Sequence, residues 1–86
     1  TCFFNYARAE SKFVLVLNPD HPFYRFVYKP LLESEDQRDA AMRTSIDLLL
    51  LSAARAEALI EGKDELNVAE QFRTDWSDTL ATFLNG

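Results

Sequence analysis

Two short apolar runs near the start of the chain have the character of β-strands. FVLVL at residues 13–17 is rich in β-branched and aromatic residues, is too short for a helix, and is flanked by polar residues. CFFNYA, which begins at Cys2, has a similar aromatic bias. The intervening ARAES is expected to form the loop of an antiparallel hairpin, without the Asn-Gly or Asp-Gly pair that favours the tightest turns. Because FVLVL does not alternate with polar residues, we expect that strand to be buried on both faces.

A proline-containing joint separates the second strand from the first helix. Asn18-Pro19-Asp20 is typical of a turn. Pro22 suits the first position of a helix, because its φ is already helical and its missing N–H costs nothing there. Asp20 or His21 is then expected to cap the helix. The residues of this structural joint are Asn18, Asp20, His21, Pro22, Phe23 and Tyr24.

The first helix has apolar residues at helical spacing. One face carries Phe23, Phe26, Val27 and Leu31. Tyr24 and Tyr28 are four residues apart and form a pair on the neighbouring face. Pro30 is expected to end or kink this short helix.

A second, longer helix is expected to run from Ser34 to Glu61. Ser34 and Gln37 have the spacing of a capping box, and Gly62 lies where a left-handed residue would end the helix. One apolar stripe contains Met42, Ile46, Leu49, Leu50, Ala53 and Ile60, and a second contains Leu48, Leu51 and Leu59. We therefore expect a central helix that is buried on more than one side.

A third helix is expected from about Asp64 to the closing Asn85-Gly86. Its apolar residues form a single stripe at Ala69, Phe72, Trp76, Leu80 and Phe83. The short link at residues 62–64 implies that the last two helices are antiparallel. The predicted fold class is therefore α+β: an N-terminal β-hairpin followed by three helices, the last two of which form a long antiparallel helical pair.

Composition and charge narrow the possible functions. The chain has 86 residues and a net charge of −5, so it lacks the cationic footprint of a nucleic-acid-binding protein. No apolar segment reaches the roughly 18 residues needed to span a membrane. The single cysteine, Cys2, excludes an internal disulfide and favours a reducing, cytoplasmic location. We expect one small domain over residues 1–86. Because Met42 is the only methionine, we expect that domain to be a fragment of a larger protein.

Candidate catalytic chemistry centres on His21, the only histidine. Its neighbour Asp20 is poorly placed to share a metal ion with it, and the sequence places no nucleophile or second acid beside it. We interpret His21 as a helix cap or as a partner for a backbone group. Hydrolytic or metal-dependent chemistry at His21 is the less favoured alternative.

Other chemical motifs are weak. Carboxylates cluster where the second helix is expected to start, at Glu33, Glu35, Asp36 and Asp39. Negative charge at a helix N-terminus is favoured by the helix dipole without any bound cation. Gly62 and Gly86 are the only glycines, so no glycine-rich phosphate loop is present. We therefore predict no catalytic, cofactor-binding or metal site, and no enzymatic activity, in these residues.

One combination of motifs resembles a known group of proteins. Asn18, His21, Pro22, Phe23 and Tyr24 match an Asn-x-x-His-Pro-Phe-Tyr motif at the end of a strand, and Trp76, Ser77 and Leu80 match a later Trp-Ser-x-x-Leu stretch. This pattern is similar to the C-terminal region of uncharacterised bacterial proteins related to the GHKL ATPases, the superfamily of gyrase B, MutL and histidine kinases. The resemblance implies a C-terminal module of a larger bacterial protein.

The superfamily's ATP-binding signature is missing from this chain. Its helix with a Glu and Asn pair, its Asp-x-Gly-x-Gly turn and its glycine-rich lid have no counterpart here. The resemblance therefore implies that any nucleotide site lies upstream of Thr1, and no nucleotide-binding residue is carried over.

The sequence supports two hypotheses about function. The first is a non-catalytic structural or interaction module, which either forms a homodimer or packs against an upstream domain of the same protein. Leu48, Leu51 and Leu59 are its interface candidates, because burying each leucine contributes roughly 1.5–3 kcal/mol. The second is a free-standing small ligand-binding protein with an aromatic pocket between the hairpin and the helices. That pocket would be lined by Phe23, Tyr24, Tyr28 and Trp76.

Overall fold

The computed structural model describes residues 2–86 and confirms the α+β class. A two-stranded antiparallel hairpin is followed by three helical segments, of which the last two are long and form a helical hairpin. The elements are β1 (Phe4–Ala9), β2 (Lys12–Leu17), a π-helical turn (Tyr24–Tyr28) that runs into α1 (Lys29–Glu33), α2 (Gln37–Ala58) and α3 (Lys63–Leu84).

The hairpin closes through a tighter turn than the sequence predicted. Phe4 pairs with Leu17 at the open end, and Ala9 pairs with Lys12 next to the turn. Only Glu10 and Ser11 lie outside the strands, with φ values of 51° and 66°. Two left-handed residues in a two-residue loop are typical of a type I′ turn, whose twist matches that of the strands. The five-residue loop predicted for ARAES was therefore too long.

The prediction that FVLVL is buried on both faces was wrong. Phe13, Leu15 and Leu17 are half-buried and pack against the core, whereas Val14 and Val16 are exposed. Successive side chains of a strand point to opposite faces. Since the sheet has two strands and α2 covers one of its faces, the other face is open to solvent.

The first helical segment contains a wide turn that the sequence pattern did not reveal. The Lys29 N–H donates to the Tyr24 carbonyl, five residues back, and Pro30 lies next in α1. Because Pro30 has no N–H, the normal bond to the Phe26 carbonyl cannot form, and a π-helical turn is a common response. Pro30 therefore does not end the helix. The wide turn also shifts the helical register, and Phe26 is exposed although the sequence placed it on one face with Phe23 and Val27.

Helix α2 starts later than the proposed capping box. Its N-cap is Asp36, whose carboxylate accepts the Arg38 N–H at 2.7 Å. Ser34 instead accepts the Asp36 N–H and donates to the Asp39 carboxylate at 2.7 Å. The Ser34–Gln37 capping box was therefore wrong, because Ser34 organises the turn before the cap.

Helix α2 also ends earlier than predicted. Its last residue is Ala58, and the following Leu59 and Ile60 N–H groups make tight bonds to carbonyls three residues back. Gly62 has φ −71° and ψ 134°, an extended conformation open to any residue, and it precedes the first residue of α3. The predicted left-handed role of Gly62 was therefore wrong.

The core is small for a chain of this length. Its buried apolar residues are Phe3, Phe4, Tyr28, Leu50 and Ala54. Helix α2 contributes only the narrow stripe of Leu50 and Ala54, while Leu48 and Leu49 remain 61% and 70% exposed. The expectation that this helix is buried on more than one side within the chain was therefore wrong.

The molecule is flattened, and its accessible surface is larger than that of a compact monomer of the same mass. Its principal extents are 42 × 35 × 17 Å, and its radius of gyration is 14.0 Å, against about 12 Å for a typical domain of 86 residues. Its accessible surface is 6284 Å², whereas a folded monomer of its mass exposes about 5200 Å². The chain therefore leaves roughly 1000 Å² more surface uncovered than a compact monomer would.

Candidate functional site

Asn18 holds the joint between β2 and the first helical segment. Its backbone N–H donates to the Phe3 carbonyl at 2.8 Å, and its side-chain amide donates to the Cys2 carbonyl at 3.1 Å. The Asn18 side-chain oxygen accepts the Asp20 N–H at 3.0 Å, and its carbonyl accepts the His21 N–H at 3.2 Å. This is the local geometry that an Asn-Pro-Asp turn favours.

His21 links the joint to α3 through Nε2, while its Nδ1 makes a hydrogen bond within the joint. Nδ1 accepts the Phe23 N–H at 3.1 Å, and Nε2 lies 2.8 Å from the Ser77 carbonyl. Because Nδ1 accepts a hydrogen bond, the proton of the neutral ring must be on Nε2, which donates to Ser77. His21 is buried, and both nitrogens are engaged with backbone groups. Neither nitrogen is left to abstract a proton or bind a metal ion.

Ser77 is the second polar residue at this junction, and it is fully buried. Its hydroxyl accepts the Phe3 N–H at 2.9 Å and donates to the Arg73 carbonyl one turn earlier at 2.8 Å. Together with the His21 bond, this fastens the middle of α3 to the N-terminal segment. The sequence placed Ser77 in a helix but gave no sign that it faces inward.

The Phe3 ring occupies the space where an aromatic pocket was predicted. Its centroid lies 5.0 Å from that of His21, 5.1 Å from that of Phe23 and 6.4 Å from that of Trp76. Tyr24 stacks on Tyr28 with a centroid distance of 5.3 Å. The four side chains of the predicted pocket therefore contact other rings and do not surround one cavity.

A large apolar groove lies between α2 and α3. Its volume is about 840 Å³, and the helices are not closely packed along it. Among the residues that line it are Leu49 and Ala53 of α2, Ile60 of the link that follows α2, Val68, Phe72 and Trp76 of α3, and Phe4 of the hairpin. Phe72 is 69% exposed and Trp76 is 36% exposed. We call the surface formed by the residues that line this groove the α2–α3 face.

The predicted apolar stripe of α3 therefore points mainly to solvent. The buried positions of this helix are Arg73 and Ser77, while Phe72, Trp76 and Phe83 are exposed. The reason is that Ser77 and Arg73 make the specific bonds to the rest of the chain, which rotates the hydrophobic stripe towards the groove. The sequence identified this stripe, and most of its large side chains are exposed in the single chain.

An ion pair forms the floor of the groove. Arg73 Nη1 lies 2.8 Å from Glu57 Oε1, with 9% and 10% of the two side chains exposed. The guanidinium also lies over the rings of Phe4 and Tyr6, at 5.8 and 5.6 Å from their centroids. Burial works to lower the pKa of Arg73, but Cys2 and the charge of Glu57 together raise it above its ordinary value. Arg73 is therefore a fixed cation, although its Nε has no hydrogen-bond partner.

None of the sequence-predicted interface leucines lines the α2–α3 face. Leu48 and Leu59 are exposed, yet neither is among the residues that line the α2–α3 face. Leu51 is half-buried and lines a shallow hollow between β2 and α2, beside Tyr28 and Asp47. The groove is larger than this hollow, and it is lined by Leu49, the residue directly after Leu48 in α2.

The predicted carboxylate cluster does not form a metal site in the structure. Within residues 2–86, no three His, Cys, Asp or Glu side chains come together as a metal site. Two carboxylates of the predicted cluster accept hydrogen bonds within the chain: Asp36 from the Arg38 N–H and Asp39 from the Ser34 hydroxyl. No helix in the same part of the chain is long and apolar enough to cross a membrane.

Tyr28 provides a test of the packing between the first helical segment and α2. Burial and its hydrogen bond to Asp47 at 2.7 Å raise the pKa of Tyr28 to about 12, from an ordinary value near 10. Because the folded state holds this proton more tightly, its stabilising contribution is complete below pH 10 and is lost as pH rises towards 12. We expect the free energy of unfolding to fall by about 2 kcal/mol over that range through this group alone.

The measurement is urea unfolding of the wild type and of Tyr28→Phe at several alkaline pH values. Tyr28→Phe lacks the ionising hydroxyl, so its stability should fall less steeply between pH 10 and 12. Identical pH dependence in the two proteins would contradict the raised pKa.

Comparisons with known proteins assign no family. No protein-family model matches the chain, and no curated protein or solved structure matches it at a significant level. The resemblance to GHKL-related proteins stays a prediction from the motifs alone.

Proposed function

We propose that this chain is a non-catalytic self-association domain. The observation that carries the proposal is the excess of uncovered surface, roughly 1000 Å² above that of a compact monomer. Leu49, Val68 and Phe72 of the α2–α3 face are among the exposed large apolar residues, and contiguous exposed apolar surface marks interaction sites. We further propose that the domain is the C-terminal module of a larger GHKL-type protein and can also pack against another portion of that protein.

The polar groups of the chain support a structural role over a catalytic one. His21 and Ser77 bond to backbone groups, and Arg73 is paired with Glu57. A general base needs a free nitrogen or carboxylate within reach of a substrate proton. These side chains are instead used to hold the hairpin, the joint and α3 together.

A ligand-binding function is the second candidate, favoured by the size of the groove. Its volume of about 840 Å³ lies within the range of roughly 300–1000 Å³ that ligand pockets occupy. Such pockets also enclose the ligand and present a few convergent polar groups. Here the groove is open, and its polar side chains Arg73 and Glu57 bond to each other. The geometry therefore favours association over ligand binding.

Native mass spectrometry of the 86-residue chain distinguishes these functions. Self-association predicts an oligomer of intact chains whose share grows with concentration, without a retained small molecule. A monomer that carries an adduct of small-molecule mass, lost in Leu49→Glu, would support ligand binding and contradict the proposal. A bare monomer at every concentration would contradict self-association.

A further inference from the structure

The two long helices are covered on only one side. The hairpin and the first helical segment pack against α2, and the N-terminal segment is bonded to α3 through Ser77. On the opposite side lies the α2–α3 face, where Leu49, Val68 and Phe72 are each about 70% exposed. Antiparallel helices of this kind are normally buried in a bundle, which requires a second helical layer.

We infer that a second copy of this chain covers the α2–α3 face, so that two helical hairpins form a four-helix bundle around a two-fold axis. This inference rests on the proposed self-association and assigns it a surface. It differs from the interface at Leu48, Leu51 and Leu59 that the sequence suggested, since Leu48 and Leu59 do not line this face.

The uncovered area matches what a stable dimer requires. A standard protein interface buries about 800 Å² on each partner. The surface excess of the whole chain, roughly 1000 Å² of total accessible surface, is of the same order as that area. A dimer would therefore bring the exposed area of each copy close to that of an ordinary compact protein.

The shape of the face also suits an identical partner. Both α2 and α3 contain 22 residues, which corresponds to a length of about 33 Å for each. Two hairpins placed face to face would therefore match along their whole length. A two-fold axis requires the same patch to be complementary to itself, and a face with apolar residues from both helices meets that condition.

The charges on this face permit self-burial. Its lining contains Glu57, Arg73 and Glu65. Glu57 and Arg73 neutralise each other within one copy, so covering them leaves no new unpaired charge at the floor. Glu65 is exposed. The net charge of −5 on each copy opposes association at long range, and salt screens that repulsion.

Leu48 and Leu49 provide a matched pair of variants. They are adjacent in α2 and similarly exposed, at 61% and 70%, but only Leu49 lines the α2–α3 face. We would measure sedimentation equilibrium of the wild type, Leu48→Glu and Leu49→Glu, with Phe72→Glu as a second groove variant. Circular dichroism would check that each variant keeps its helices. We expect that it does, because Leu48, Leu49 and Phe72 are all exposed in the single chain.

The inference predicts that the wild type and Leu48→Glu dimerise with similar dissociation constants. It predicts that the dimer dissociation constants of Leu49→Glu and Phe72→Glu are at least tenfold higher. The wild-type dimer should tighten as salt is raised. A dimer disrupted by Leu48→Glu and unaffected by Leu49→Glu would overturn the assigned face while leaving self-association intact. A wild-type monomer at every concentration and salt would instead overturn the proposed function itself.

Discussion

Phe3→Ala is expected to lower the free energy of unfolding by about 3–5 kcal/mol, the range for truncating a fully buried phenylalanine. Phe3 is 1% exposed, and its ring contacts His21, Phe23 and Trp76. These partners come from the joint, the start of the first helical segment and α3. The substitution therefore leaves a cavity where three parts of the chain meet, at a site held by hydrogen bonds that limit its collapse.

Urea unfolding at low protein concentration measures this effect, with Phe26→Ala as the matched control. Phe26 is exposed on the first helical segment, so its truncation should change the free energy of unfolding by no more than about 0.5 kcal/mol. Similar losses in the two variants would show that Phe3 is not the centre of the core.

Glu57→Leu is expected to lower the free energy of unfolding by about 3–5 kcal/mol, because it leaves the buried Arg73 guanidinium without its counter-charge. The two side chains are about nine-tenths buried, so solvent screens this pair only weakly. Arg73 Nη1 would lose its 2.8 Å bond to Glu57, and Nε already has no partner. The substitution would therefore leave a buried cation with little compensation.

The double variant Glu57→Leu/Arg73→Met isolates the cause of that loss. If the cost comes from the unpaired charge, replacing both residues with apolar side chains of similar size should recover most of the lost stability. The measurement is again urea unfolding, arranged as a double-mutant cycle. If the double variant is as unstable as the sum of the single variants, the loss does not come from the stranded charge.

The sequence predicted the elements of this fold well, because their signals are local. The FVLVL run, the proline at position 22 and the long apolar stripes gave the hairpin and the three helices in the right order. Asn18, predicted to turn the chain, and His21, interpreted as a helix cap or a partner for a backbone group, both make hydrogen bonds in the joint between them. The Asn-Pro-Asp turn preference depends on a few neighbouring residues, which the sequence displays directly, whereas the predicted ends of α2 at Ser34 and Gly62 were wrong.

The orientation of the long helices could not be predicted in the same way. The apolar stripe of α3 did not indicate which side of the helix contacts the rest of the chain: Phe72 and Phe83 are exposed, whereas Arg73 and Ser77 are buried. Their partners Glu57 and Phe3 lie 16 and 74 residues away in sequence. A hydrophobic stripe indicates that a surface will be covered, but it does not say whether the cover comes from the same chain. The candidate site on the α2–α3 face was missed for this reason.

Trp76 reports directly on the central claim, that the α2–α3 face is covered by a second copy. It is the only tryptophan, it lines the groove, and it is 36% exposed in the single chain. The measurement is its fluorescence emission and acrylamide quenching across the concentrations at which sedimentation detects association. We predict that dimerisation shifts the emission to shorter wavelength and reduces quenching, and that Leu49→Glu abolishes both changes. Dimerisation that leaves the Trp76 emission and quenching unchanged would contradict the account.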